Sequence, residues 1–383
     1  MRGSMCARLF AALCVCALAV ALAPAQTPSA AVQFSIQDAP ELRMPGAHEF
    51  NSVWGVDGNS PAVRDADGQL ILFNSLQYPW RSSGADIAQM AESTRVVINN
   101  RDDIEGGLWL EAAYRDEDGT LFGWFHNETG AGCDNPYLAV PRIRQMVSHD
   151  AGQTWDDQGV ILAAPDVVNC QTGNRYFANG EGDFTALYDG TSQAFYFYFT
   201  AYHTQDDQQG IGIARLAYQD RFNPVGNVQK WFNGAWTEPG VNGQLTPILP
   251  PRVDWEQSNL NAYWGPALHY NTWLHQYVML LNHAVGADWG TEGFYISFNP
   301  DISNPAGWSA PQRLPLEPDS PAQAYPQIIG LDRDSTDTRG GAIVRLFLEG
   351  QSRWQLIFGP SLAIPSRQVE SPGARALLPQ RNS

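Results

Sequence analysis

Apolar and polar positions along this chain fall into short runs separated by turn residues. The run Leu110-Glu-Ala-Ala-Tyr-Arg115 leads into Asp116-Glu-Asp-Gly119, and Thr120-Leu-Phe-Gly-Trp-Phe-His126 follows. Aromatic and aliphatic runs on either side of an Asp-x-Asp-Gly turn predict a β-hairpin. A third strand is expected from 143 to 148. The same plan recurs four more times. It pairs 60–64 with 69–74, 183–188 with 194–202, 265–269 with 276–282, and 325–329 with 342–349. Third strands are expected at 210–216, 293–298 and 353–358. No strong amphipathic helix interrupts the series. Five repeated sheet units predict an all-β chain, a five-bladed β-propeller of four-stranded antiparallel blades over residues 31–360. Residues 32–36 would complete the fifth blade and close the ring. A sixth blade hidden in 80–105 or 221–255 is the next alternative, and a pair of β-sandwiches the third.

The ends of the chain read differently. Arg2 and Arg8 flank the start of an apolar run over 9–22, and Ala23-Pro-Ala25 follows. This is the pattern of an export signal, expected over residues 1–30, and the run is too short to span a bilayer. A secreted or periplasmic protein without a membrane span is therefore expected. Residues 361–383 are rich in Pro, Ser and Arg without periodicity, and a disordered tail is expected there. The net charge of −17 becomes more negative once two signal arginines are removed. That argues against nucleic acid or anionic membrane as partner and suits neutral or cationic material. Of five cysteines, Cys133 and Cys170 remain after the signal, and two cysteines in an oxidising compartment predict a disulfide.

Propeller topology turns these strands into a site. First strands start, and second strands end, at one face of the ring. The starts bring Asp57, Glu111, Glu181 with Asp183, Trp264 and Tyr325; the ends bring Asn74, His126-Asn-Glu128, Tyr202-His203, Asn282-His283 and Glu349. Glu292 and Arg144 open third strands on the same side. Carboxylates and aromatic rings around one opening suit a sugar, since rings stack on pyranose faces and carboxylates accept hydroxyl protons. Hydrolysis of a glycosidic bond needs two carboxyls across the bond, one kept protonated by its surroundings.

The segment Ser148-His-Asp-Ala-Gly-Gln-Thr-Trp155 resembles the Asp-box of propeller proteins, including sialidases. That resemblance implies a turn between the third and fourth strands of a blade. The acids distributed over successive blades resemble those of five-bladed glycosidases of families 43, 32 and 117. The run Glu111…His126-Asn-Glu128, Gly182-Asp-Phe184 and Trp264-Gly-Pro-Ala-Leu-His269 also resemble exported bacterial propeller proteins of glycosidase-like or sialidase-like type. The resemblance implies a glycoside hydrolase with Asp57 as base or nucleophile and Asp183 or Glu111 as acid and its partner. His126, Glu128, His203, Trp264, Asn282, Glu292 and Tyr325 are then expected to bind substrate. Glu in blade two and Asp in blade three reverse the family 43 order. No cofactor is implied, no metal-binding motif is present, and a structural calcium or sodium ion in the channel is compatible with the fold. The expected partner is a carbohydrate and the expected state a monomer. A non-catalytic carbohydrate- or protein-binding propeller, a sialidase-like exo-glycosidase, and a lyase using His126 or His203 as base are the competing readings.

Overall fold

The structure, a computed structural model, describes residues 32–45, 56–320 and 322–359. The expected signal and C-terminal tail lie outside the described residues. Five antiparallel sheets form the five blades of a β-propeller. Blade one comprises Ala62–Arg64, Leu70–Asn74, Trp80–Gly84 and Thr94–Arg95. Blade two comprises Gly107–Arg115, Leu121–Gly130, Ala139–Ser148 and Thr154–Leu162, and Val97–Ile98 adds a short parallel strand outside them. Blade three runs Glu181–Asp189, Ala194–Ala201, Gly210–Ala217, Val228–Phe232 and Ala235–Pro239. Blade four runs Asn261–Asn271, Gln276–Val285, Gly290–Asn299 and Gln312–Arg313, with Arg339–Gly340 parallel to its inner strand. The segments that could have hidden a sixth blade thus supply outer strands of blades one and three.

Blade five combines both ends of the domain. Pro326–Gly330, Ile343–Leu348 and Gln351–Phe358 are followed, on the outside, by Phe34–Arg43. Phe34 pairs with Phe358 and Arg43 with Gln351, so the expected closing strand is present and longer than 32–36. Hydrogen bonds across the axis fasten the inner strands. Asn59 Nδ2 donates to Phe184 O of blade three and Pro266 O of blade four, both at 2.8 Å. Gln327 of blade five accepts from Ser60 N and donates to Ser60 O.

Between blades the core is aromatic, as the strand composition dictates. Phe122, Trp124, Phe195, Phe197 and Phe199 fill the space between blades two and three. Phe73, Leu110, Phe125 and Trp155 fill that between blades one and two. The turn at 148–155 joins the third and fourth strands of blade two. The Asp150 carboxylate accepts from the amides of Gln153 and Thr154 and from the Thr154 and Ser148 hydroxyls, and Trp155 Nε1 donates to Gly152 O. A short turn is thereby tied on itself while its indole is driven into the core. Cys133 and Cys170 form a disulfide linking the loop after the second strand of blade two to the segment before blade three.

Candidate active site

Two of the three expected catalytic carboxyls occupy irregularities of their strands. In blade two the pairing slips between Leu110 and Ala112, and in blade three between Gly182 and Phe184. Glu111 and Asp183 are the extra residues. A β-bulge leaves one residue unpaired and re-aims its side chain, which is how an acid inside an apolar strand avoids the sheet core. One oxygen each of Glu111 and Asp183 and one His126 nitrogen lie within 4.8 Å of one another.

Asp183 has φ 43°, in the left-handed region. Its carboxylate accepts from the hydroxyls of Tyr202 and Tyr325, the latter at 3.0 Å. The Tyr325 hydroxyl also lies 3.4 Å from Asp57 Oδ1. One phenol thus stands between carboxyls from blades one and three. Glu111 Oε2 accepts from Phe184 N at 2.7 Å, and its other oxygen is 3.4 Å from His126 Nδ1. Gly58 permits this packing: with φ 136°, a Cβ there would fall 2.6 Å from Glu111 Oε1.

Burial dominates the acidities. Asp57 stays open to the cavity, yet the surrounding wall desolvates its carboxyl and pushes it up to about 6, helped by repulsion from Glu128 and Asp183. Burial pushes Glu111 up to about 7 against the stabilising contact with His126. Asp183 is raised by burial despite the His126 charge and the Tyr202 bond. Burial also acts on His126 and opposes its imidazolium, but Glu111, Glu128 and Asp183 together raise its proton affinity well above the ordinary value. The Asp183 amide nevertheless donates to His126 Nδ1 at 3.0 Å. An amide can only donate, so this contact specifies a ring protonated at Nε2, which faces Glu128 Oε1 at 3.2 Å. Protonating Nδ1 requires that contact to break.

These shifts make stability depend on pH. Glu111 holds its proton more tightly folded than unfolded, so between about 4.5 and about 7 the native state binds more protons and stability falls as pH rises. The melting temperature is therefore expected to be lower at pH 8 than at pH 5. Glu111→Gln should shrink that difference in a thermal-unfolding series across pH. A wild-type melting temperature that rises over this range would contradict the assignment.

A cavity of 560 Å³ opens above these groups. Of the residues expected from the sequence, Asp57, Glu128, Asp183, Trp264 and Tyr325 line it. Glu111 and His126 stand behind its wall, where they touch Asp183 but not the cavity. Asn282 is buried and holds the wall in place: its Oδ1 accepts from Tyr325 N at 2.9 Å and its Nδ2 faces Trp264 O. Of the seven residues expected to bind substrate, His126 and Asn282 are thus outside the lining, and so are His203 and Glu292. His203 is fully buried against Glu181, with Nε2 2.8 Å from Oε1, and does not reach the cavity. Glu292 opens a third strand, farther from the axis, where it meets His283, Tyr295 and Arg313 instead.

The cavity also uses three residues that the strand-end argument did not select, and a fourth, Glu349, that it brought to this mouth without a role. Trp109, Phe177, Trp289 and Glu349 line it. Trp289 stacks on Tyr202 at 5.4 Å, and Trp264 meets Tyr325 edge-on at 5.2 Å. Trp289, Tyr325 and Glu349 share the left-handed backbone of Asp183, with φ 55°, 54° and 49°. For Glu349 the cause is local: with Gly350 (φ 72°) it forms the two-residue turn between paired Leu348 and Gln351, where both central residues take positive φ. The Glu111–His126–Asp183 cluster is tight enough to hold an ion, but its atoms already serve one another, two tyrosines and two backbone amides.

No family model matches the sequence, and no curated protein matches it. Solved structures do resemble the fold. The exo-β-1,3-galactanase of Phanerochaete chrysosporium is 12% identical over 85% of this chain and 63% of its own, with a TM-score of 0.45. This chain thus spans under two thirds of that enzyme's length. The α-L-arabinanase of Penicillium chrysogenum is 12% identical over 81% of this chain and 83% of its own, with a TM-score of 0.45. The endo-arabinase of Bacteroides thetaiotaomicron is 12% identical over 84% of this chain and 97% of its own, with a TM-score of 0.47. Likeness at this level concerns the fold; chemistry has to be argued from the cavity.

Proposed function

We propose that the protein is a glycoside hydrolase acting at the axial cavity, with Asp57 and Asp183 as its reacting carboxyls. The observation that carries this reading is the meeting of two carboxyls from different blades at the Tyr325 hydroxyl, inside a cavity walled by indoles. Neither carboxyl is paired with Arg or Lys among the described residues. Both are therefore free to exchange protons, as hydrolytic carboxyls must be.

Asp183 is the deeper of the two. Burial and the neighbouring acids favour its protonated form, which suits the group that gives a proton to the departing sugar oxygen. Asp57 opens to the cavity and suits the group that activates water or attacks the anomeric carbon. Glu111 and His126 position Asp183 and tune it without touching substrate. The signal expected at 1–30 and the Cys133–Cys170 bond, of a kind that persists in oxidising compartments, support action outside the cytoplasm.

The test is a panel of plant, algal and bacterial glycans offered to the mature protein. Release of reducing sugar from at least one glycan is expected, and Asp57→Asn and Asp183→Asn should each abolish it. Release that survives both changes would remove the site. Binding without release, across the panel, would favour the non-catalytic propeller.

A further inference from the structure

The cavity is walled unevenly. Blade three lies between blades two and four, and the chain leading into it crosses the mouth as a strap, residues 170–178, tied to both neighbours. On the blade-two side Cys170 is bonded to Cys133, Ala139 N donates to Tyr176 O at 2.9 Å, and Ala178 N donates to Ala139 O at 3.0 Å. On the blade-four side Gly173 N donates to Glu256 O, Arg175 pairs with Asp288, and the Tyr176 ring meets Trp289 edge-on at 5.0 Å.

The strap is also fixed within itself. Asn174 is buried and acts as a clasp. Its Oδ1 accepts from Tyr176 N at 3.0 Å and Phe177 N at 2.9 Å, and its Nδ2 donates to Phe177 O and, across to the next segment, to Trp255 O. Gly173 passes so close to 256–258 that a Cβ there would fall 2.5 Å from Ser258 N, an approach that only glycine allows. The strap therefore stands as a rigid wall. Tyr176 and Phe177 carry it into the cavity lining, and Phe177 packs on Trp289 at 5.4 Å. Among the described residues the opposite side stands open. Asp57, beside the Tyr325 hydroxyl, is exposed there, and so is Gln77.

A polymer cut at internal bonds has to enter and leave, so it needs a groove open at both ends. This cavity is shut on the blade-three side, and its 560 Å³ is the size of a pocket that encloses a small molecule. We infer that the protein attacks chain ends, with the terminal sugar unit against Phe177 and Trp289 and the rest of the chain leaving over Asp57 and Gln77. The strap is the element that sets this mode of action, and the Cys133–Cys170 bond holds it in place. This deepens the glycosidase reading and rests on it.

The test follows viscosity against reducing ends released, and sizes the products, for the mature protein acting on the linear polymers of the glycan panel, among them arabinan, xylan, laminarin and agarose. The polymer that is cleaved is expected to give one short product with little loss of viscosity. Arg175 and Tyr176 are exposed, so Arg175→Ala combined with Tyr176→Ala should fold. In that variant the viscosity lost per bond cleaved should rise severalfold as internal bonds gain access. Cys133→Ser combined with Cys170→Ser frees the other side of the strap and should move the same ratio in the same direction. Melting temperatures check that both variants fold. Random internal cutting by the wild type overturns the inference and leaves the hydrolase reading standing. An unchanged ratio in the folded variants overturns it as well. Release from no glycan of the panel removes the hydrolase reading, and the inference with it.

Discussion

Asp183→Asn is expected to lower kcat/KM by about 10²–10⁴-fold, the usual contribution of a positioned acid or base. The choice of asparagine matters. Residue 183 has φ 43°, a conformation that asparagine adopts more readily than most residues. The variant should therefore fold and lose the proton, its one carbonyl oxygen still accepting from one of the two tyrosine hydroxyls while the other hydroxyl must turn to accept from the amide NH2. The role can be separated from that of Asp57 by leaving group. A sugar attached to a good leaving group departs without protonation, so Asp183→Asn should regain most of its rate on such a substrate. Asp57→Asn should not regain it. Recovery in Asp57→Asn alone would exchange the two assignments.

Lys230→Met should cost about 3–5 kcal/mol of folding stability, the range for removing one partner of a buried ion pair. The Lys230 ammonium is fully buried in blade three and donates to Glu181 Oε1 and to the carbonyls of Ala163 and Gly243, at 3.0 Å each. Burial pushes the Glu181 carboxyl up, but Lys230 and His203 outweigh it and hold it below its ordinary range. Without Lys230, the Glu181 carboxylate keeps only His203 as a partner among the described residues. Chemical denaturation reads the loss, and Glu181→Gln combined with Lys230→Met should restore part of it. A double variant no better than Lys230→Met would mean that the lost lysine contacts, not a stranded carboxylate, set the cost. Glu181 lies two residues before Asp183, so the same cluster fixes the strand end that bears the acid.

The acids of the site were legible because they break a pattern. Glu111 stands in an otherwise apolar strand, and Asp183 follows a glycine at a strand start; each needed a reason, and each reason is a bulge at the channel mouth. The ring and its closing strand were legible in the repeated alternation of apolar runs and Asp-Gly turns. What strand ends could not tell was direction. His203 follows Tyr202 at the same strand end, but its ring turns to Glu181 while Tyr202 turns to Asp183. Glu292 lies at the right height and one strand too far out. Trp289 and Phe177 sit outside the main strands, in loops brought to the cavity by packing with Tyr202, a contact no local pattern encodes. Glu349 follows a second strand as the topology required, and its turn of backbone is local hairpin geometry with Gly350, but its bond to Ala324 belongs to the folded ring.

The pairing of Phe34–Arg43 with Gln351–Phe358 has a consequence for how this molecule comes into being. A nascent chain makes its outermost strand first and must keep that ribbon unpartnered until nearly everything else has been synthesised. Products that stop short of Gln351–Phe358 leave Phe34–Arg43 without its partner and the fifth blade incomplete. Competence therefore arrives in a single late step, and any clip that frees either ribbon should cost the ring its seal and the site its shape together.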